Sequence, residues 1–314
     1  MRKFIAAVFA VAFTASVALA QTQQAPTLRI VSEDGNRLPS ELMYGNTKVK
    51  PLRLRPGTNV PITIDDSDFF VQQHYVDFLS RFPDQSGFAF WQNDINQCGS
   101  NAQCVEVHRV NVSAAFFLSI ESQQTSYLVY KTYKAAFGDL AGKPVPVRRE
   151  NLMPDARSIS NNVIVGATGW EKTLDDNKNA YFQSFVQRGD FQAAFPGSMN
   201  AEQFVDKLFS NAGVTPTAGE RSAALTAFAT SRAAALRSVA ESQTLHNAEF
   251  NKAFVLSQYF GYLKRNPDDL PDTNFNGYSF WLSKLNEFNG NYIAAEMVKA
   301  FISSIEYRGR FGQP

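Results

Sequence analysis

From Asp68 onward the apolar residues recur with a helical period. Phe70, Val71, His74, Tyr75, Phe78 and Leu79 fall at i, i+1, i+4, i+5, i+8 and i+9, one stripe of an amphipathic helix, and Pro83 ends it. Asp84 stands where the N-cap of a second helix belongs, with Phe88, Phe90, Trp91 and Ile95 beyond it. Val105 to Ser122 then supplies a third, longer helical stretch. Before Asp66 the pattern is different. Lys48-Val49-Lys50 and Leu52-Arg53-Leu54-Arg55 alternate, and Asp34-Gly35 and Pro56-Gly57 are turn signals, so residues 21–66 are expected to form a few short strands. Such a lead segment is too short for an ordinary independent domain, and is expected to pack on the helices or to precede them as a semi-ordered stretch.

The helical pattern repeats, and a repeat decides the architecture. FVQQHYVDFLSRFPDQSGFAFW returns near the C-terminus as FVLSQYFGYLKRNPDD followed, after an insert, by GYSFW. Tyr75, Leu79, Arg81, Pro83, Asp84, Gly87 and Trp91 thereby match Tyr259, Leu263, Arg265, Pro267, Asp268, Gly277 and Trp281. The closings AFFLSIES (Ala115 to Ser122) and AFISSIEY (Ala300 to Tyr307) also match. Two more divergent units lie between. The second opens at Tyr127 to Gly138, carries Trp170 and closes with AYFQSFVQRGDF, aligned with AFISSIEYRGRF through Arg188/Arg308, Gly189/Gly309 and Phe191/Phe311, but lacks Arg-x-Pro-Asp. The third begins near Asn200 with capping boxes at Asn200/Gln203 and Thr217/Glu220, and has no Trp. Phe195-Pro196-Gly197 is the best internal pause. The expectation is a mostly α-helical chain of four units arranged as two paired bundles, residues 67–195 holding units one and two and 196–314 holding units three and four.

The first residues change the picture of location. Arg2 and Lys3, an apolar run from Phe4 to about Ala18, and Ala18-Leu19-Ala20 before Gln21 have the order of a secretory signal peptide, with cleavage expected after Ala20. The run is too short, and lacks the flank, for a membrane span, and no Cys follows the cleavage point to carry a lipid. The chain is therefore expected to be exported: periplasmic, at the cell surface or secreted. Removing Arg2 and Lys3 leaves 28 basic against 29 acidic side chains, a net charge of −1, which argues against nucleic acid and against an anionic membrane surface. Cys98 and Cys104 lie close together in a chain bound for an oxidising compartment, so a local disulfide is expected; on the chain-entropy model so small a loop is worth only about 2 kcal/mol.

Candidate chemistry is sparse. In Arg81-x-Pro83-Asp84…Gly87…Trp91 and Arg265-x-Pro267-Asp268…Gly277…Trp281, Pro stops one helix, Asp caps the next, and Arg is expected to pair with that Asp or with carbonyls at the C-terminus of the first helix. Trp91, Trp170 and Trp281 are expected to be equivalent and largely buried, against the alternative of a ligand surface with Trp as a stacking plate for a sugar. Asp272, Asn274, Asn276 and Gly277 meet the opening of a calcium-loop pattern, but Ser283 stands where its bidentate Glu belongs, so an Asx-type turn is favoured. Asp65, Asp66 and Asp68 precede the first helix and suit its N-terminal dipole. Of three His, none has metal-ligand spacing to another, and Cys98, Cys104 and His108 lack a fourth zinc ligand. No nucleophile, zinc-protease or phosphate-loop motif is present, so no catalytic residue and no cofactor is expected.

With Arg-x-Pro-Asp…Gly…Phe-Trp repeated and the units closing on AFFLSIES or AFISSIEY, the chain from about Asp68 to Phe311 resembles the bacterial "domain of unknown function 4214" family. That family occurs in exported and cell-surface proteins, has a likeness to phycobilisome linker domains, and carries no established catalytic residues. The resemblance implies a non-enzymatic interaction or scaffold module whose partner is an envelope or extracellular protein or glycan. A glycan-binding or glycan-cleaving protein, using exposed aromatics and carboxylates, is the alternative.

Overall fold

A computed structural model of the chain describes the backbone of Leu28–Ser32, Pro39–Tyr44 and Thr47–Val49, together with Arg55 and residues 57–311. Residues 1–27, on which the expected export signal falls, lie outside the described residues. The three short stretches are strands β1 to β3, which pair antiparallel in the order β1-β2-β3.

From Ser67 to Phe311 the described chain is helix and turn. Unit one comprises α1 (Ser67–His74) running into a π-helical turn (Tyr75–Leu79), α2 (Gln85–Asn96), α3 (Ala102–Leu118) and α4 (Ile120–Gln124). Unit two holds α5 (Ser126–Phe137), α6 (Arg149–Ser160), α7 (Trp170–Phe185) and α8 (Gly189–Ala194). Unit three holds α9 (Ala201–Ala212), α10 (Ala218–Thr230) and α11 (Arg232–Ala240). Unit four repeats the plan of unit one, with α12 (Gln243–Gln258), a second π-helical turn (Tyr259–Leu263), α13 (Asn276–Glu287), α14 (Met297–Ser303) and α15 (Ile305–Gly309). The start signals act as read: Asp84 accepts from the Gly87 amide, and the boxes Asn200/Gln203 and Thr217/Glu220 are both closed in both directions. Cys98 and Cys104 are joined across the turn between α2 and α3.

The units pair, but not in sequence order. Units two and three pack together through their opening helices, α5 lying against α9 and α11, with α11 also against α7. Units one and four, at opposite ends of the chain, meet through their π-helical turns and through α3 against α14. The expected division at 195/196, with one beside two and three beside four, is therefore corrected. The reason is visible at the pause itself. Phe195 is fully buried, stacked on Phe191 at 4.6 Å and edge-on to Phe204 of α9 at 5.1 Å, so the turn runs through the middle of a core rather than between two. In the outer pair, Phe78 and Tyr262 occupy matching positions of their units and touch edge-to-face at 4.9 Å. Contact between equivalent residues marks an approximate two-fold relation. Gly261 makes the approach possible, since a Cβ there would stand 2.5 Å from the Phe78 ring. α12 lies against α5 and joins the two pairs into one core.

Candidate interaction surface on a repeated frame

Units one and four build the same frame. Each opening helix widens into its π-helical turn and ends on a left-handed residue, Ser80 (φ 54°) or Lys264 (φ 59°), so that the next amide, Arg81 or Arg265, reaches back to the carbonyl of Tyr75 or Tyr259 at 3.5 and 3.4 Å. This reversal lays the Arg side chain over that Tyr ring, at 4.9 Å in unit one and 5.5 Å in unit four. The guanidinium then meets a carboxylate of the closing segment with two parallel bonds. Arg81 Nε and Nη2 donate to Glu121 at 2.9 and 2.8 Å, and Arg265 Nε and Nη2 donate to Glu306 at 2.6 and 3.0 Å. Each Glu is fixed by the short helix that carries it, capped by Ser119 or Ser304 accepting from the amide three residues on, at 3.1 Å in both units. The glycines complete the frame. A Cβ on Gly87 or Gly277 would stand 2.2 or 2.6 Å from the Tyr75 or Tyr259 hydroxyl. Burial raises the pKa of both phenols, that of Tyr259 to about 12, so they stay neutral spacers.

Three expectations about this motif are corrected. The Arg81–Asp84 contact is a marginal 3.5 Å, secondary to Glu121, and Arg265 does not pair with Asp268 at all. Asp268 instead pairs with Lys143 and Arg148 of unit two, and the insert supplies Asp272 as the second carboxylate on Arg265 at 2.8 Å. The insert also displaces the helix start, so that α13 begins after Phe275 without a side-chain cap. The tryptophans are half-buried rather than enclosed. Trp91 and Trp281 pack one side on Phe116 and Phe301 at 6.1 and 5.9 Å, while Trp170 opens α7 as its first residue and is not equivalent to them. The calcium candidates serve the loop. Asp272 is paired with Arg265, and Asn274 Oδ1 accepts from the Asn276 amide at 2.8 Å, an Asx turn.

Two exposed apolar residues of each frame repeat. Phe90 and Phe280, each just before the Trp, are 63% and 56% exposed, and Ile120 and Ile305, each just before the Glu, are 54% and 86% exposed. From the sequence, Phe90 is placed on the second helix and Ile120 and Ile305 fall within the repeated closings, with none of them marked as exposed. Sequence reasoning also missed the role of the Glu. Other exposed apolar residues are not kept: Phe82 and Leu118 of unit one become Asn266 and Ser303 in unit four. Glu121 and Glu306 are both committed to arginines, and neither frame offers two facing free carboxylates. Asp84→Ala should cost about 0.5–2 kcal/mol of stability through the lost cap, read as a lower melting temperature, with Gly87's amide left open to water.

Compared with known proteins, the chain matches no family model, no curated protein and no solved structure. No described helix is long and apolar enough to cross a membrane.

Proposed function

We propose that the chain is an exported, non-enzymatic interaction module that holds an envelope or extracellular protein against two equivalent sets of exposed apolar side chains, Phe90 and Ile120 in unit one and Phe280 and Ile305 in unit four. The observation that carries this reading is the repetition of exposed residues. Buried residues that repeat are explained by packing, and a single exposed apolar side chain is ordinary. The same two residue types exposed at the same two places of a rigid frame, while their exposed neighbours diverge, are explained by something that covers them. The frame suits the task, because the Arg–Glu pair and the capped short helix hold each Ile, and the half-buried Trp backs each Phe. The resemblance to the "domain of unknown function 4214" family belongs to the same reading, and a partner is sought among proteins rather than nucleic acids because the mature net charge is close to zero.

The test is capture from native envelope extract by the full chain and by the double variant Phe90→Ser with Phe280→Ser. The variant should keep the melting temperature within a few degrees, since surface changes rarely exceed about 0.5 kcal/mol, and should lose the partner that the parent retains. Equal capture by both would discard the reading. Retention of glycans on an array, lost in the same variant, would move the assignment to sugar binding.

A further inference from the structure

We propose that the turn between α2 and α3 is a reduction-gated zinc site, formed by Cys98, Cys104 and His108 with Asp94 behind them. The helices that flank the turn each bring two of these residues four positions apart. Asp94 lies on the last turn of α2 and Cys98 just past its end, while Cys104 and His108 lie on the first turns of α3. The two sulfurs and a ring nitrogen of His108 all fall within 4.8 Å of one another, and all three residues are half-buried and open to solvent. Among the described residues no other group of three or more His, Cys, Asp and Glu meets that condition. Asp94 is the residue a sequence count of ligands does not find. Its Oδ2 is 2.9 Å from His108 Nδ1, closer than the Gln97 Nε2 that also approaches that nitrogen at 3.3 Å; with the ring proton on Nδ1 and directed to Asp94, Nε2 is left as the ligand atom, the carboxylate–histidine–metal arrangement found behind zinc. Two thiolates and one imidazole make three protein ligands, and solvent takes the fourth tetrahedral position.

In the oxidised chain the sulfurs are bonded to each other and the thiolates do not exist. A thiol reductant opens the site: the disulfide and two reductant thiols give two protein thiols and one reductant disulfide, two electrons passing to the protein. Zinc then displaces the two thiol protons, which go to solvent. The turn can accommodate the change because Gly99 already takes the left-handed conformation with open space where a Cβ would stand, and the two Cys Cα atoms, 5.5 Å apart, need only side-chain rotation to present both sulfurs to one ion. Metal bound only to the reduced form pulls the equilibrium toward dithiol, so the site reports on zinc and on redox poise together.

The experiment uses the full chain, oxidised or reduced with a phosphine that does not bind zinc, titrated with zinc and with cobalt as a spectroscopic probe. Expected are one ion per reduced chain and none per oxidised chain, and a thiolate-to-cobalt charge-transfer band with the intensity of two thiolates. His108→Ala should lower the affinity at least tenfold, and Asp94→Asn by about 10–100-fold. At a fixed glutathione ratio, excess zinc should raise the dithiol fraction relative to disulfide at least tenfold, about 30 mV for a two-electron couple. Circular dichroism of the reduced chain, with and without metal, should keep its helical signal. Equal zinc binding by oxidised and reduced chains would overturn the proposal. So would unchanged affinity in His108→Ala, or binding that appears only after the helical signal is lost.

Discussion

Replacing Asp77 with alanine is expected to destabilise the fold by about 3 kcal/mol or somewhat more, at the lower end of the range for breaking a buried ion pair. Asp77 lies in the first π-helical turn and is 2% exposed. Its carboxylate takes two bonds from Arg310 of unit four, at 2.8 and 2.9 Å, one from Lys264 at 3.0 Å and one from Gln73 at 2.8 Å. Burial alone would raise its pKa, but Arg310 and Lys264 hold it well below the usual carboxylate range. Removing it takes the carboxylate away from two cations in the seam between units one and four, and the carbonyls of Gly261 and Tyr262, which also accept from Arg310, keep the cost from reaching the upper end of the range. Urea unfolding of the variant measures the loss. A double-mutant cycle with Arg310→Ala should be strongly sub-additive. A loss below about 1 kcal/mol would show that the seam does not depend on this pair.

The same seam should make the protein sensitive to mild acid. His74 is enclosed, its Nδ1 2.8 Å from the Phe70 carbonyl oxygen and its Nε2 2.9 Å from the Ser113 hydroxyl, with the rings of Phe78, Phe116 and Tyr262 around it. Burial lowers its pKa to about 4; Asp77 nearby favours the charged form, whereas Arg109 and Arg310 oppose it. The unfolded chain takes up this proton near pH 6.5, whereas the folded chain resists until about pH 4. Neutral His74 therefore contributes fully above pH 6.5, and the contribution is lost as pH falls from 6.5 towards 4. Between pH 7 and 4.5 the loss should be about 2–3 kcal/mol. His246, lowered by burial and by Lys131, adds in the same direction. Asp77 acts in a different window, since a depressed carboxylate is fully favourable above about pH 4 and is lost only below it. Unfolding curves at the two pH values, for the parent and for His74→Gln, isolate the term. A slope unchanged by the substitution would assign the acid sensitivity elsewhere.

Much of the local structure was legible because it depends on short-range chemistry. Pro83 stops a helix, Asp84 caps one, and both capping boxes close, all through groups within four residues of each other. What was not legible depends on partners far along the chain. Arg81 and Asp84 are close in sequence, so they were read as a pair; the two-pronged partner is Glu121, forty residues on, and only its return as Glu306 could have pointed to it. The pairing of units was misread for the same reason. Phe195-Pro196-Gly197 has the composition of a boundary, but the aromatic contacts of Phe195 reach both Phe191 and Phe204. Exposure of Phe90 and Phe280 escaped notice because a helical period counts apolar residues without saying which side of the stripe a neighbour covers. Asp94 was invisible as a partner of His108 because it stands across a turn from it.

The meeting of units one and four has a consequence for the order in which the molecule can be assembled. Its contacts join Asp65 to Arg308, Phe69 to Phe311 and Asp77 to Arg310, pairs separated by more than two hundred positions. A chain emerging from the ribosome can form units two and three locally, yet Phe78 lacks Tyr262 until unit four is made, and Asp77 has its full set of partners only once Arg310 has been made. Closing so long a loop costs entropy before any contact rewards it, which places this step late and makes it slow. Until then the first unit keeps its aromatic face open to water, or to whatever keeps nascent chains from aggregating. The fold is in effect closed by a clasp whose two halves are synthesised far apart in time.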